Sequence, residues 1–147
     1  MTGDPVLANE RRGDDPLRAY EAAILEGITS LTASMRRGAA LGRRLAEAGD
    51  DPESRAEAIA EFRSWRAILD RLPAEPPPVY APVHARVLRW AAVVAEVGDR
   101  HLAAIATGRP DDLALAAQQS PRIMDAYREV MAAMERLAAA QRSRASD

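Results

Sequence analysis

The chain contains no cysteine and no lysine. Without thiols it can form no disulfide, no thiolate metal site and no cysteine nucleophile, and the redox state of its compartment leaves no trace in it. All 20 basic residues are arginine, a bias that goes with the alanine excess of a high-GC coding sequence and points to no chemistry of its own. Aromatic residues make up 4% of the 147 positions, and no apolar run approaches the ~20 residues needed to cross a bilayer, so no membrane span is expected. The opening "MTGDPVLANERRGDDP" lacks the apolar centre of a signal segment. As given, the chain is therefore expected to be soluble and cytoplasmic, which leaves an exported form with a longer or processed terminus open. A formal charge of −2 lacks the positive excess that displaces counterions from phosphates, so no nucleic-acid partner is expected.

What remains is 48% apolar, mostly alanine and leucine with some valine, which are strong to moderate helix formers. The length fits one domain with one hydrophobic core. Residues 1–14 mix glycine, proline and charge without period and read as a flexible N-terminal arm. Periodicity starts at Asp15, with Pro16 at the first helical position, and the apolar residues Leu17, Tyr20, Ile24, Ile28, Leu31, Met35 and Leu45 recur every three or four residues. They predict a helix over about 15–48, ended by Gly49. Asp51, Pro52 and Glu53 then form a capping sequence, followed by a second helix over about 52–72 with Ala58, Ile59, Phe62, Trp65, Leu69 and Leu72 inward. "PAEPPPVYAP" is an extended connector, in which Val79 and Tyr80 should cover core left open by the shorter second helix. A third helix over about 83–107 ends at Gly108. A fourth over about 110–142 starts at Pro110 with Asp111 and Asp112 at the positive end of its dipole, is expected to kink at Pro121 rather than break, and gives way to a disordered tail over 144–147. Two tight turns and one long connection join these amphipathic segments, so the chain should be an all-α antiparallel four-helix bundle.

The segment "SMRRGAALGRRL" places two glycines, four apart, between arginine pairs inside the first helix. Each glycine costs a helix about 1 kcal/mol relative to alanine, so each asks for a reason. If helices 1 and 2 form a hairpin, residues whose numbers add to about 100 share a height: Gly38 then faces the level of Phe62, Gly42 that of Ala58, Arg37 that of Glu61 and Arg43 that of Glu57. Close packing explains the glycines and ion pairing explains the arginines. Gly38 and Gly42 remain candidates for a helix-docking face or for ligand space, and the arginines for an anion site.

Other chemistry has less support. His84 and His101 have no glutamate three residues before them, as a di-iron bundle would need, and they project from different faces. The Gly108 turn puts His101 beside Ala117 and Gln118, which make no metal set. Serines 30, 34, 54, 64 and 120 lack the strand-turn-helix elbow of a catalytic serine. No catalytic residue, metal or cofactor is therefore assigned. A candidate apolar pocket is formed by Trp90, Val94, Met124, Tyr127 and Met131 at one level of helices 3 and 4, where methionines would allow an adaptable surface.

From Trp65 to Gln141 the order of an amphipathic helix, the linker "LPAEPPPVYAPVH", a helix opening on histidine, a "GRPDD" turn and an alanine-rich helix resembles the C-terminal half of small uncharacterised helical-bundle proteins of high-GC bacteria, often exported or lipid-anchored. The resemblance implies a bundle and carries over no functional residue. The expected function is that of a non-enzymatic interaction or assembly module, whose partner is a second copy of the chain or another helical protein. The alternative is a small-molecule-binding or sensor domain with an apolar pocket near Trp90, Tyr127 and Met131.

Overall fold

Every helix of this protein starts at or beside a proline, whose fixed φ and missing N–H suit a first turn. The computed structural model describes the backbone of residues 5–48 and 51–146 and the side chains of residues 16–47 and 51–146. Within it α1 spans Pro5–Ala48, α2 Pro52–Asp70, α3 Ala81–Thr107, α4 Pro110–Ala117 and α5 Pro121–Ser146, with a short 3₁₀ turn at Pro78–Tyr80 leading into α3. Asp51 caps α2 as its sequence implies, accepting from the Glu53 N–H at 3.3 Å and the Ser54 hydroxyl at 2.7 Å. Gly108 ends α3 in the left-handed region, φ 67°, and its N–H bonds back to the Ala104 and Ile105 carbonyls. Only glycine takes that conformation without strain. The Gly49 turn lies outside the described residues.

The fold is an all-α four-helix bundle whose fourth arm is divided into α4 and α5. Contacts across the interfaces show each neighbour running antiparallel: Gly38 meets Phe62 between α1 and α2, Arg66 bonds Asp99 between α2 and α3, and Arg122 and Glu129 pair with Glu96 and Arg86 between α5 and α3. α3 packs on α2, α4 and α5, while α4 also reaches α1. The core is filled by Ile24 and Leu31, by Phe62 and Trp65, by Val83, Val87, Trp90, Val94, Val97 and Ile105, and by Ile123 and Val130. Tyr80 is buried and packs on Tyr20 with ring centroids 5.0 Å apart, so the connector covers core as its composition suggests. Pro77, at φ −58° and ψ 149°, keeps a polyproline conformation before the chain turns into α3.

Three boundaries differ from those expected. α1 starts at Pro5, ten residues before Asp15, so Pro16 lies inside the helix and residues 5–14 continue it instead of forming an arm. A proline after a polar residue gives the same local signal whether it opens a helix or interrupts one, and "VLANERR" before it is good helix former. At the other end α5 runs to Ser146, whose hydroxyl donates to the Arg142 carbonyl at 3.1 Å, so residues 144–146 are helical rather than a disordered tail. The alanine and arginine content of that stretch favours this.

The third difference is at Pro121, where the expected kink is a full break. Pro121 has no N–H to give the Ala117 carbonyl. That carbonyl accepts instead from Ser120 at 3.1 Å, and the tighter three-residue pattern also holds from Gln119 to Ala116, from Arg122 to Gln119 and from Ile123 to Ser120. A run of such bonds satisfies the orphaned carbonyls while changing the helix direction, which frees α4 to lean onto α1.

Candidate functional site

Trp65 and Phe62 of α2 organise the meeting of the helices. An ideal Cβ built on Gly38 would lie 3.1 and 3.2 Å from Phe62 Cε1 and Cζ, and one built on Gly98 would lie 3.1 Å from Trp65 Cε3. The two rings pack 5.0 Å apart, and His101 of α3 stacks on Phe62 at 4.5 Å and 18°. Gly38 is therefore a packing glycine, as the height relation requires. Below it Ser34, fully buried, donates to Glu61 Oε1 at 2.6 Å, and the same oxygen accepts from Arg37 Nε at 2.8 Å. This polar contact fixes the register of α1 on α2 and had only its Arg37–Glu61 half legible in the spacing.

Gly42 behaves differently. Nothing lies within 4 Å of a Cβ placed there, so it does not face Ala58, although the height relation still holds one turn above Gly38. Glu57 correspondingly approaches Arg44, at 3.9 Å, rather than Arg43. Arg36 and Arg43 make no ion pair among the described residues. Gly42 instead opens into a groove of about 430 Å³ between α1 and α4. Ala39, Gly42, Arg43 and Ala46 form one wall, Leu113, Ala114 and Ala117 the other, with Phe62, His101 and Ile105 deeper in. The small residues keep it wide, and the break at Pro121 lets α4 supply its second wall. Among the described residues Arg43 is the one charged residue lining it.

His101 gives this groove its polarity. It is 9% exposed, and its Nδ1 sits 2.8 Å from the Val97 carbonyl oxygen. A carbonyl only accepts, so Nδ1 carries the proton. Burial lowers the imidazole pKa, opposed in part by that backbone bond, so the ring is neutral at pH 7 and Nε2 is a bare lone pair. The sealed side-chain atoms without partners are Trp65 Nε1, His84 Nε2 and Trp90 Nε1. His101 Nε2 is not among these sealed atoms and has no partner among the described residues, and His101 is one of the residues that line the groove.

Two other depressions lack such a group. One of about 420 Å³ outside α3 and α4 is bordered by Arg100, Thr107 and Asp112, but Arg100 bonds Glu96 and Thr107 bonds Asp112. One of about 500 Å³ lies beside the connector, between Pro16 and Tyr20 on one side and Pro73 and Pro76–78 on the other, and there the Tyr20 hydroxyl is engaged with His84 Nδ1 at 2.8 Å.

The pocket expected from Trp90, Val94, Met124, Tyr127 and Met131 does not form. Trp90 and Val94 are sealed in the core, whereas Met124 and Met131 are 48% and 36% exposed, with Tyr127 half-buried between them. Residues three and seven apart on α5 share a side of the helix, but that side turns partly to solvent. Among the described residues no group of three His, Asp or Glu side chains could hold a metal ion, and no helix is long and apolar enough to cross a membrane. No protein family, curated protein or solved structure matches the chain.

Proposed function

We propose that this bundle is a non-enzymatic recognition domain that binds a small apolar molecule in the groove between α1 and α4. One observation carries the reading: an apolar groove of about 430 Å³ contains an uncommitted polar atom on a side chain otherwise nine-tenths buried. Binding sites for small ligands are of this size and combine apolar walls with a few placed polar groups. Trp65 lies beneath the groove, its ring centroid 6.2 Å from that of His101, so its fluorescence reports occupancy. Titration with alkylbenzenes and alkylphenols is expected to change Trp65 emission and raise the melting temperature. Gly42→Leu fills open space and should abolish both responses while leaving the helical content unchanged. Equal responses from Gly42→Leu and the native chain would remove the groove from consideration.

A second reading, assembly with another copy or another helical protein, draws on the partly exposed methionine side of α5, where Met124 and Met131 lie seven residues apart. If that side mediates self-association, light scattering will give a mass above one chain that returns to 15.9 kDa in Met124→Glu/Met131→Glu. A native protein that stays at the mass of one chain across concentration would reject self-association there.

A further inference from the structure

We infer that the groove between α1 and α4 selects an uncharged apolar molecule bearing one hydroxyl, an alcohol or phenol, whose O–H donates to His101 Nε2. This rests on the groove being a binding site and adds the chemistry of its occupant.

The selection follows from how His101 is held. With the Val97 carbonyl 2.8 Å from Nδ1, the neutral ring can present only an acceptor at Nε2. A ligand atom placed there must therefore bring a hydrogen. The Val97 bond keeps Nδ1 turned to its own helix, and the stack on Phe62 at 18° and 4.5 Å fixes the plane of the ring. Ile105 and Leu113 give the groove apolar wall, so an O–H left unpaired there, or an acceptor facing Nε2, would be buried at a cost. A carboxylate meets the same lone pair with lone pairs of its own. It could gain only from Arg43 at the exposed wall, where water screens the charge. An ammonium donor is no better placed, since among the described residues no acidic side chain lines the groove to pair with its charge. A neutral hydroxyl is the donor that meets neither objection.

Isothermal titration of the full chain at pH 7.5 with 4-butylphenol, its methyl ether 4-butylanisole and 4-butylbenzoate separates these cases. The three share an apolar body and differ only in the head. The phenol is expected to bind about tenfold more tightly than the ether, the size of one well-made hydrogen bond in a site of this kind. His101→Phe keeps a ring stacked on Phe62 and removes the acceptor, so phenol and ether should bind it equally. On the native chain alone, equal affinity for phenol and ether would overturn the hydroxyl assignment while leaving the groove as a site. Tightest binding of the benzoate would overturn it in favour of an anion held by Arg43. No heat and no saturation with any of the three up to their solubility limits would overturn both the assignment and the binding reading beneath it.

Discussion

Replacing Gly38 with leucine is expected to destabilise the bundle by about 3 kcal/mol, the upper part of the range for overfilling a packed core, whereas the same exchange at Gly42 should leave stability unchanged or slightly higher. The two positions lie one helical turn apart and both carry the roughly 1 kcal/mol propensity cost of glycine. They differ in what stands opposite. At Gly38 the first added carbon already meets the Phe62 ring at 3.1 Å. That ring is held on two sides, stacked on His101 and packed on Trp65. Leucine would add three further carbons beyond the first, and the gain in helix propensity is too small to offset the clash. At Gly42 nothing lies within 4 Å, so the propensity gain stands alone and the added side chain enters the groove. Urea unfolding of both variants, with unchanged slope and shifted midpoint, measures the difference. Similar midpoints for the two variants would mean that α1 is rotated relative to α2 and that neither glycine has the neighbour described.

The contrast between these glycines also shows how far the sequence could be read. Counting residues outward from a hairpin correctly paired Gly38 with Phe62 and Arg37 with Glu61, because two packed helices keep one register along their seam. At Gly42 and Arg43 the count still gave the level, since Arg44 meets Glu57 there, but not the side, because Gly42 turns to the groove that α4 closes. No pattern within residues 15–72 announces that, since α4 belongs to a segment sixty residues further on. Pro121 was recognisable as an interruption, but whether it kinks or breaks depends on whether Gln119, Ser120 and the residues after them can close three-residue bonds, which composition does not decide. Turn geometry put His101 beside Ala117, and the two line one groove. Its hydrogen bond is that of an ordinary buried histidine, and the proton fixed on Nδ1 by its own helix has no mark in the spacing. Glycines 27 and 98 carried no signal either: the partners that explain them, Leu72 at 2.6 Å and Trp65 at 3.1 Å from their ideal Cβ positions, lie in other segments, just past the end of α2 and within it.

Trp65→Ala is expected to have the largest effect of any single exchange, a loss of about 3–5 kcal/mol with the upper end favoured. Trp65 is 3% exposed and lies between two glycines, its ring 3.1 Å from an ideal Cβ position on Gly98 of α3 and 3.6 Å from one on Gly38 of α1. Large-to-small exchanges cost the lost burial and, in addition, the cavity that neighbours cannot fill. Here Gly98 and Gly38 bring no side chain that could fill the space, so relaxation is left to Phe62 and His101 or to movement of whole helices. A loss of this size is a third or more of the stability of an ordinary domain. The indole contributes one opposing term, because its Nε1 is sealed without a partner, a burial that costs about 1–3 kcal/mol. Trp65→Phe removes that atom along with part of the ring and should therefore cost much less than Trp65→Ala. The cavity can also be refilled from the other side. Gly98→Ala alone should destabilise, since its Cβ presses on the Trp65 ring, but in the Trp65→Ala background the same methyl enters free space and should recover stability. The coupling between the two exchanges, measured as a double-mutant cycle by urea unfolding, is therefore expected to be favourable and of order 1 kcal/mol. Strict additivity would show that Trp65 and Gly98 are not in contact, and the wedge of one ring between two bare helix faces would then not be what joins α1, α2 and α3.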